Sequence, residues 1–142
     1  MEIQEDTRME SKGSIAVTEG IKIEVEPEFI PKELAPGEAP YYFSYRVTIS
    51  NEGEKYAKLQ SRHWIIIDAE GRREDVEGEA VVGYKPELHP GDTFTYTSYC
   101  PLDTPWGTME GTYKMIRDDG SEFRAKIERF YLVSPEAVEE KG

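Results

Sequence analysis

A chain of 142 residues with 29 acidic and 17 basic side chains carries a formal charge of −12 at pH 7. That length suits one domain with a core of its own, and the single cysteine, Cys100, excludes an internal disulfide and fits a reducing compartment. A surface this acidic repels phosphate backbones and anionic headgroups, which sets nucleic-acid and membrane binding aside and suits solubility or a cationic partner patch. Residues 1–13 are polar and aperiodic, without the apolar stretch of a secretory signal, and read as a flexible lead-in. From Ile15 the pattern turns to period two. Ile21, Ile23 and Val25 alternate with Lys22, Glu24 and Glu26, which predicts a half-buried strand. PEFIPKELAPGEAP follows and, with four prolines and a glycine, predicts an irregular connection.

Tyr41–Ser50 is the cleanest strand. Tyr41, Phe43, Tyr45, Val47 and Ile49 face one way, and Tyr42, Ser44, Arg46, Thr48 and Ser50 the other. Asn51–Glu54 reads as a turn. Tyr56–Asp68 is harder to place. If Ala57 and Leu59 face inward, strict alternation throws Trp64 and Ile66 outward; one extra residue near Ser61 or Arg62, a β-bulge, would bury Trp64. The alternative keeps Ile65 and Ile67 in the core and leaves Trp64 partly exposed. Asp68–Gly71 is a turn, Arg72–Val76 a short polar strand, and Gly78–Gly83 a glycine-punctuated turn. Tyr84–Asp92 reads as a loop and Phe94–Cys100 as another alternating strand. Pro101–Gly107 is expected to be a proline-bounded loop that ends the ladder. Thr108–Arg117 is a strand with Met109, Tyr113 and Met115 on one face, Asp118-Asp119-Gly120 a hairpin turn, and Glu122–Leu132 a returning strand whose inward parity shifts from Ile127 to Phe130. The tail, 134–142, is read as flexible; the alternative is one helical turn with Ser134 as N-cap and Pro135 at N1.

Seven or eight short strands without helical periodicity predict an all-β chain: one antiparallel β-sandwich spanning 14–133. The runs YYFSYRVTISNEG and LQSRHWIIIDAEG, with Ser61-Arg62-His63-Trp64, Gly78–Gly83, Pro90-Gly91, Tyr96-Thr97-Ser98, Cys100-Pro101-Leu102 and Met109-Glu110-Gly111, resemble the bacterial ApaG family over Ile15–Leu132. The resemblance implies a fibronectin type III/immunoglobulin-like sandwich. It also implies a protein-interaction role, since related domains are appended to some eukaryotic F-box proteins and a polymerase-associated protein. Bacterial members are linked genetically to cobalt resistance and magnesium efflux.

The family's G-x-G-x-x-G positions hold Gly78, Ala80 and Gly83; a phosphate cradle needs a helix N-terminus, and Tyr84-Lys85-Pro86 follows instead. His63, His89 and Cys100 lack metal-ligand spacing, so no metal and no cofactor are expected. Cys100 ends an alternating strand, and no orienting carboxylate or oxyanion hole accompanies it or Ser61 and His63, so no catalysis is expected. A cytoplasmic protein-binding module remains, with Arg62, His63, Trp64 and Trp106 as candidate contacts and with Tyr42, Tyr84 and Tyr99 on the outer parity of their segments. A homodimer through an edge strand is possible. The alternative is a nucleotide, pyrophosphate or divalent cation held at Gly78–Gly83.

Overall fold

The computed structural model describes residues 12–137. Among these residues nine strands form two antiparallel sheets. The first sheet contains β1 (Ser14–Thr18), β2 (Ile21–Ile30), β3 (Tyr41–Asn51) and β7 (Thr93–Leu102), in the order β1-β2-β3-β7. The second runs β5-β4-β8-β9, from β5 (Arg73–Glu79), β4 (Ala57–Asp68), β8 (Trp106–Ile116) and β9 (Glu122–Val133), with the two-residue β6 (Glu87–Leu88) beside β4. This is the antiparallel sandwich that the alternation predicts. Its core joins Ile21, Ile23, Val25, Phe43, Val47 and Ile49 of one sheet to Leu59, Trp64, Met109, Tyr113, Met115, Ile127, Phe130 and Leu132 of the other. Of the ends expected to be flexible, 1–13 and 134–142, residues 1–11 and 138–142 lie outside the described residues. Residues 135–137 take up the helical turn that Ser134 caps, its Oγ accepting from the Ala137 amide at 3.3 Å.

Two prolines expected to end strands lie inside them. Pro27 pairs with Tyr45 in β2, and Pro101 with Tyr42 in β7. The reason is parity. Glu19 and Gly20 both have positive φ and make a two-residue hairpin turn, so the flanking pair Thr18–Ile21 exchanges both backbone hydrogen bonds. Counting outward from that pair, the odd residues of β2 bond toward β1 and those of β3 toward β7, while the odd residues of β7 face the free edge. Two bonds at the end of β3 agree: the Asn51 amide donates to Asp92 O at 2.9 Å on the β7 side, and the Glu52 amide to Gly20 O at 2.8 Å on the β2 side. The N–H that Pro27 and Pro101 lack would therefore point away from β3, where a proline is tolerated. Pro27 also ends the β1 ladder. Lys12, its next partner in register, finds no N–H there, and its carbonyl accepts from the Tyr131 amide of β9 at 2.9 Å. Ile15 and Val17, at the start of the period-two reading, stand on the exposed side of β1.

β4 carries the expected bulge one residue earlier than predicted. Its register with β8 shifts between Leu59 and Ser61, so Gln60 is the extra residue. Before it β4 pairs with β6 and after it with β5. The backbone groups released there are used: the Leu59 amide donates to Pro86 O at 3.0 Å, and Gln60 O accepts from the Ala80 amide at 2.9 Å. Beyond the bulge the even residues turn inward, so Trp64 is 3% exposed and Ile66 packs on the core. A second shift, between Met109 and Gly111 against β9, accounts for the change of parity from Ile127 to Phe130. β5 runs three residues past Val76, so Gly78 lies within the strand and not in a turn.

Candidate functional site

Five of the six candidate residues divide between the inside and the outside of the second sheet, and Gly83 lies in the turn that follows β5. Trp64 is core: its indole meets Tyr45 at 5.3 Å, Phe130 at 5.9 Å and Tyr113 at 6.2 Å, all edge-on. It cannot touch a partner while the sandwich is closed, so the expectation of a contact residue is corrected. Arg62 shares its parity. Its guanidinium lies under the end of β5 and donates to Glu79 O at 3.0 Å and Ala80 O at 2.6 Å. Gly78, directly opposite in register, leaves room for it; a Cβ there would stand 2.9 Å from Arg62 Nη2. Beside this clamp, Tyr96 and Tyr113 share a hydrogen bond between their hydroxyls, and burial pushes both phenols up and keeps them protonated.

The Gly78–Gly83 segment turns the chain back on itself. Val81 and Tyr84 exchange backbone hydrogen bonds of 2.8 Å around Val82 and Gly83, both at positive φ. Ala80, at the family's middle glycine position, also has positive φ, at 71°. A basic side chain thus meets this segment at carbonyls, and Arg62 gathers no amides for a phosphate. Val82 is a β-branched residue at φ 40°, a conformation that disfavours L side chains by roughly 1–2 kcal/mol. Val82→Asn, which keeps the turn and tolerates that φ, is expected to raise folding stability by about 1 kcal/mol in urea titration; an unchanged or lower midpoint would contradict the strained turn.

The outer face is different. His63 points out of β4, its Nε2 2.8 Å from Asp75 Oδ2 and 3.8 Å from Glu77 Oε2. Asp75 is held well below the usual carboxylate range, first by Arg73 and then by His63. Toward the other end of the same face, Ile65 and Ile67 follow at the same parity. Thr108 lies between Ile67 and Tyr131 in register, and Trp106 pairs with Val133. Trp106 is 40% exposed and Tyr131 42%. His63, Ile65 and Tyr131 share the lining of a shallow depression at the β8–β9 bulge. Its charged neighbours are largely matched, Arg129 with Glu110 at 2.8 Å and Arg73 with Asp75 at 2.7 Å. The structure therefore brings His63 and Trp106 to one surface and takes Arg62 and Trp64 away from it. Tyr131 went unmarked in the sequence, although the parity shift before Phe130 already turned it outward.

Cys100 is buried, and burial pushes its thiol up to about 12, far from a nucleophile's range. His89 lies apart from His63, beside Tyr56 and Asp92. Among the described residues no three or more His, Cys, Asp or Glu side chains converge as metal ligands, and no helix is long and apolar enough to cross a membrane.

The ApaG domain family model matches residues 31–117. Protein ApaG of Anaeromyxobacter dehalogenans strain 2CP-C is 54% identical over 122 residues, which cover 86% of this chain and 96% of that one. Protein ApaG of Methylobacterium sp. strain 4-46 is 49% identical over 120 residues, covering 84% and 92%. Among solved structures, the putative ApaA protein from Bordetella pertussis superposes with a TM-score of 0.75 at 45% identity, covering 81% of this chain and 94% of that one.

Proposed function

Since the chain belongs to the ApaG domain family, we propose that it is a non-catalytic β-sandwich that binds a protein partner in the cytoplasm through the outer face of its second sheet. One observation carries this reading. Trp106, Tyr131, Ile65 and Ile67 share one exposed side of β4, β8 and β9, and among the described residues no element covers it. An apolar and aromatic patch rimmed by matched charges is the composition of a protein-docking surface. The partner it fits presents apolar side chains there. Charge contributes less to this contact than the net −12 suggests, because the ion pairs on this face are already made. In this reading the link to cobalt resistance and magnesium efflux that the resemblance implies acts through the partner, and His63 contributes a polar contact at the rim.

Capture from the source cell with the wild type, Trp106→Glu and Tyr131→Glu tests the surface. Each substitution is expected to reduce recovery of a bound protein at least about tenfold while the melting temperature stays within a few degrees. Equal recovery with both variants would remove this face from the function.

A further inference from the structure

A sandwich has four edges, and three of them here are closed or defended. The β9 edge is covered by β1: the Lys126 amide donates to Thr18 Oγ1 at 3.0 Å, and Ser14 Oγ donates to Glu128 O at 2.6 Å. β1 itself is only five residues long. β5 reads Arg-Glu-Asp-Val-Glu-Gly-Glu, and charge along an edge discourages pairing. β7 has none of these defences over most of its length. It runs for ten residues, Thr-Phe-Thr-Tyr-Thr-Ser-Tyr-Cys-Pro-Leu, without one charge in a chain that is 32% charged. By the parity established above, the backbone N–H and C=O groups of Thr93, Thr95, Thr97 and Tyr99 point away from β3. Among the described residues β7 pairs with β3 alone. The side chains of all four are exposed, Tyr99 to 54%.

The geometry points to β7 as a strand-pairing edge whose occupant is β7 of a second copy of this chain, the two sheets joining antiparallel across a two-fold axis. The register is determined by the edge. Thr97 facing Thr97 is the alignment that uses every outward residue from Thr93 to Pro101. It sets Thr95 against Tyr99 and Thr93 against Pro101. Thr95–Tyr99 is a β-branched–aromatic cross-strand pair, a favourable combination. Pro101, with a carbonyl to offer and no N–H, stops the ladder at both ends. Asp92 then falls opposite Leu102, so the nearest acids do not meet. An uncharged seam suits two chains of charge −12, because their repulsion lies elsewhere on the surface and is open to screening.

Sedimentation velocity and light scattering on the full chain test this. The wild-type mass is expected to rise with concentration from 16.3 kDa toward twice that value. The association should tighten between about 0.01 M and 1 M salt as the repulsion is screened. Thr97→Pro removes the outward amide at the dyad, at a parity where Pro27 and Pro101 are already accommodated. It is expected to keep its circular dichroism spectrum and to associate at least about tenfold more weakly. Thr97→Lys, which sets two like charges across the axis, serves as the second variant and is expected to do the same. A wild type that keeps the mass of one chain at about 1 mM would overturn the proposal. So would association that weakens with salt, the sign of a charge-driven contact, or association that both substitutions leave unchanged.

Discussion

Trp64→Ala is expected to remove roughly 3–5 kcal/mol of folding stability, the range for deleting a large aromatic from a packed core. Trp64 is 3% exposed and sits edge-on to three rings, one of them on the opposite sheet, so its loss opens a cavity that neither sheet can fill by moving a single side chain. Against a total stability of about 5–15 kcal/mol, roughly a fifth or more would go. Trp106→Ala is the contrast. Its side chain is 40% exposed at the start of β8, and the expected loss stays below about 1 kcal/mol. Urea unfolding followed by tyrosine fluorescence or circular dichroism measures both. Equal losses at the two tryptophans would mean that the bulge at Gln60 does not bury Trp64.

Gly111→Ala is expected to be as damaging, at roughly 3 kcal/mol or more, although it adds a single methyl group. β8 lies between β4 and β9, and Gly111 faces Trp64 beside the second bulge. A Cβ at this position would stand 2.0 Å from the backbone oxygen of His63 and 3.2 Å from the Cα of Trp64. Neither atom belongs to a side chain that could rotate away. The strands must separate, and the β4–β8 ladder weakens where Trp64 is seated. Gly120→Ala is the control. Its Cβ would meet nothing within 4 Å, and only its positive φ is at stake, about 1 kcal/mol. A Gly111→Ala protein as stable as the Gly120→Ala protein would contradict the close approach of β4 and β8.

Alternation alone made most of the sandwich legible. β3, β7 and β8 are read directly from their period of two, and the Trp64 parity conflict pointed to a bulge within a residue or two of Gln60. What escaped was set by hydrogen-bond direction, which side-chain patterns do not carry. Pro27 and Pro101 look like strand breakers until the edge they face is known. β6, two residues long, has no pattern to read. Ile65 and Ile67 are as apolar as core residues, and only the bulge puts them outside. The proposed surface was legible in part for the same reason. Arg62, His63 and Trp64 are consecutive, but a strand sends neighbours to opposite faces, so His63 alone reached the surface with Trp106. Tyr131 joined them through a bulge in a different strand.

The most direct test replaces Tyr131, and separately Val82, with a photo-reactive phenylalanine analogue and compares the protein adducts formed in the source cell. Position 131 marks the outer face of the second sheet, and position 82 the turn that the ligand-binding alternative uses. Discrete adducts from position 131, absent from position 82 and lost when Trp106→Glu is added, are the expected result. Adducts from position 82 with none from position 131 would contradict the assignment of this face as the working surface of the protein.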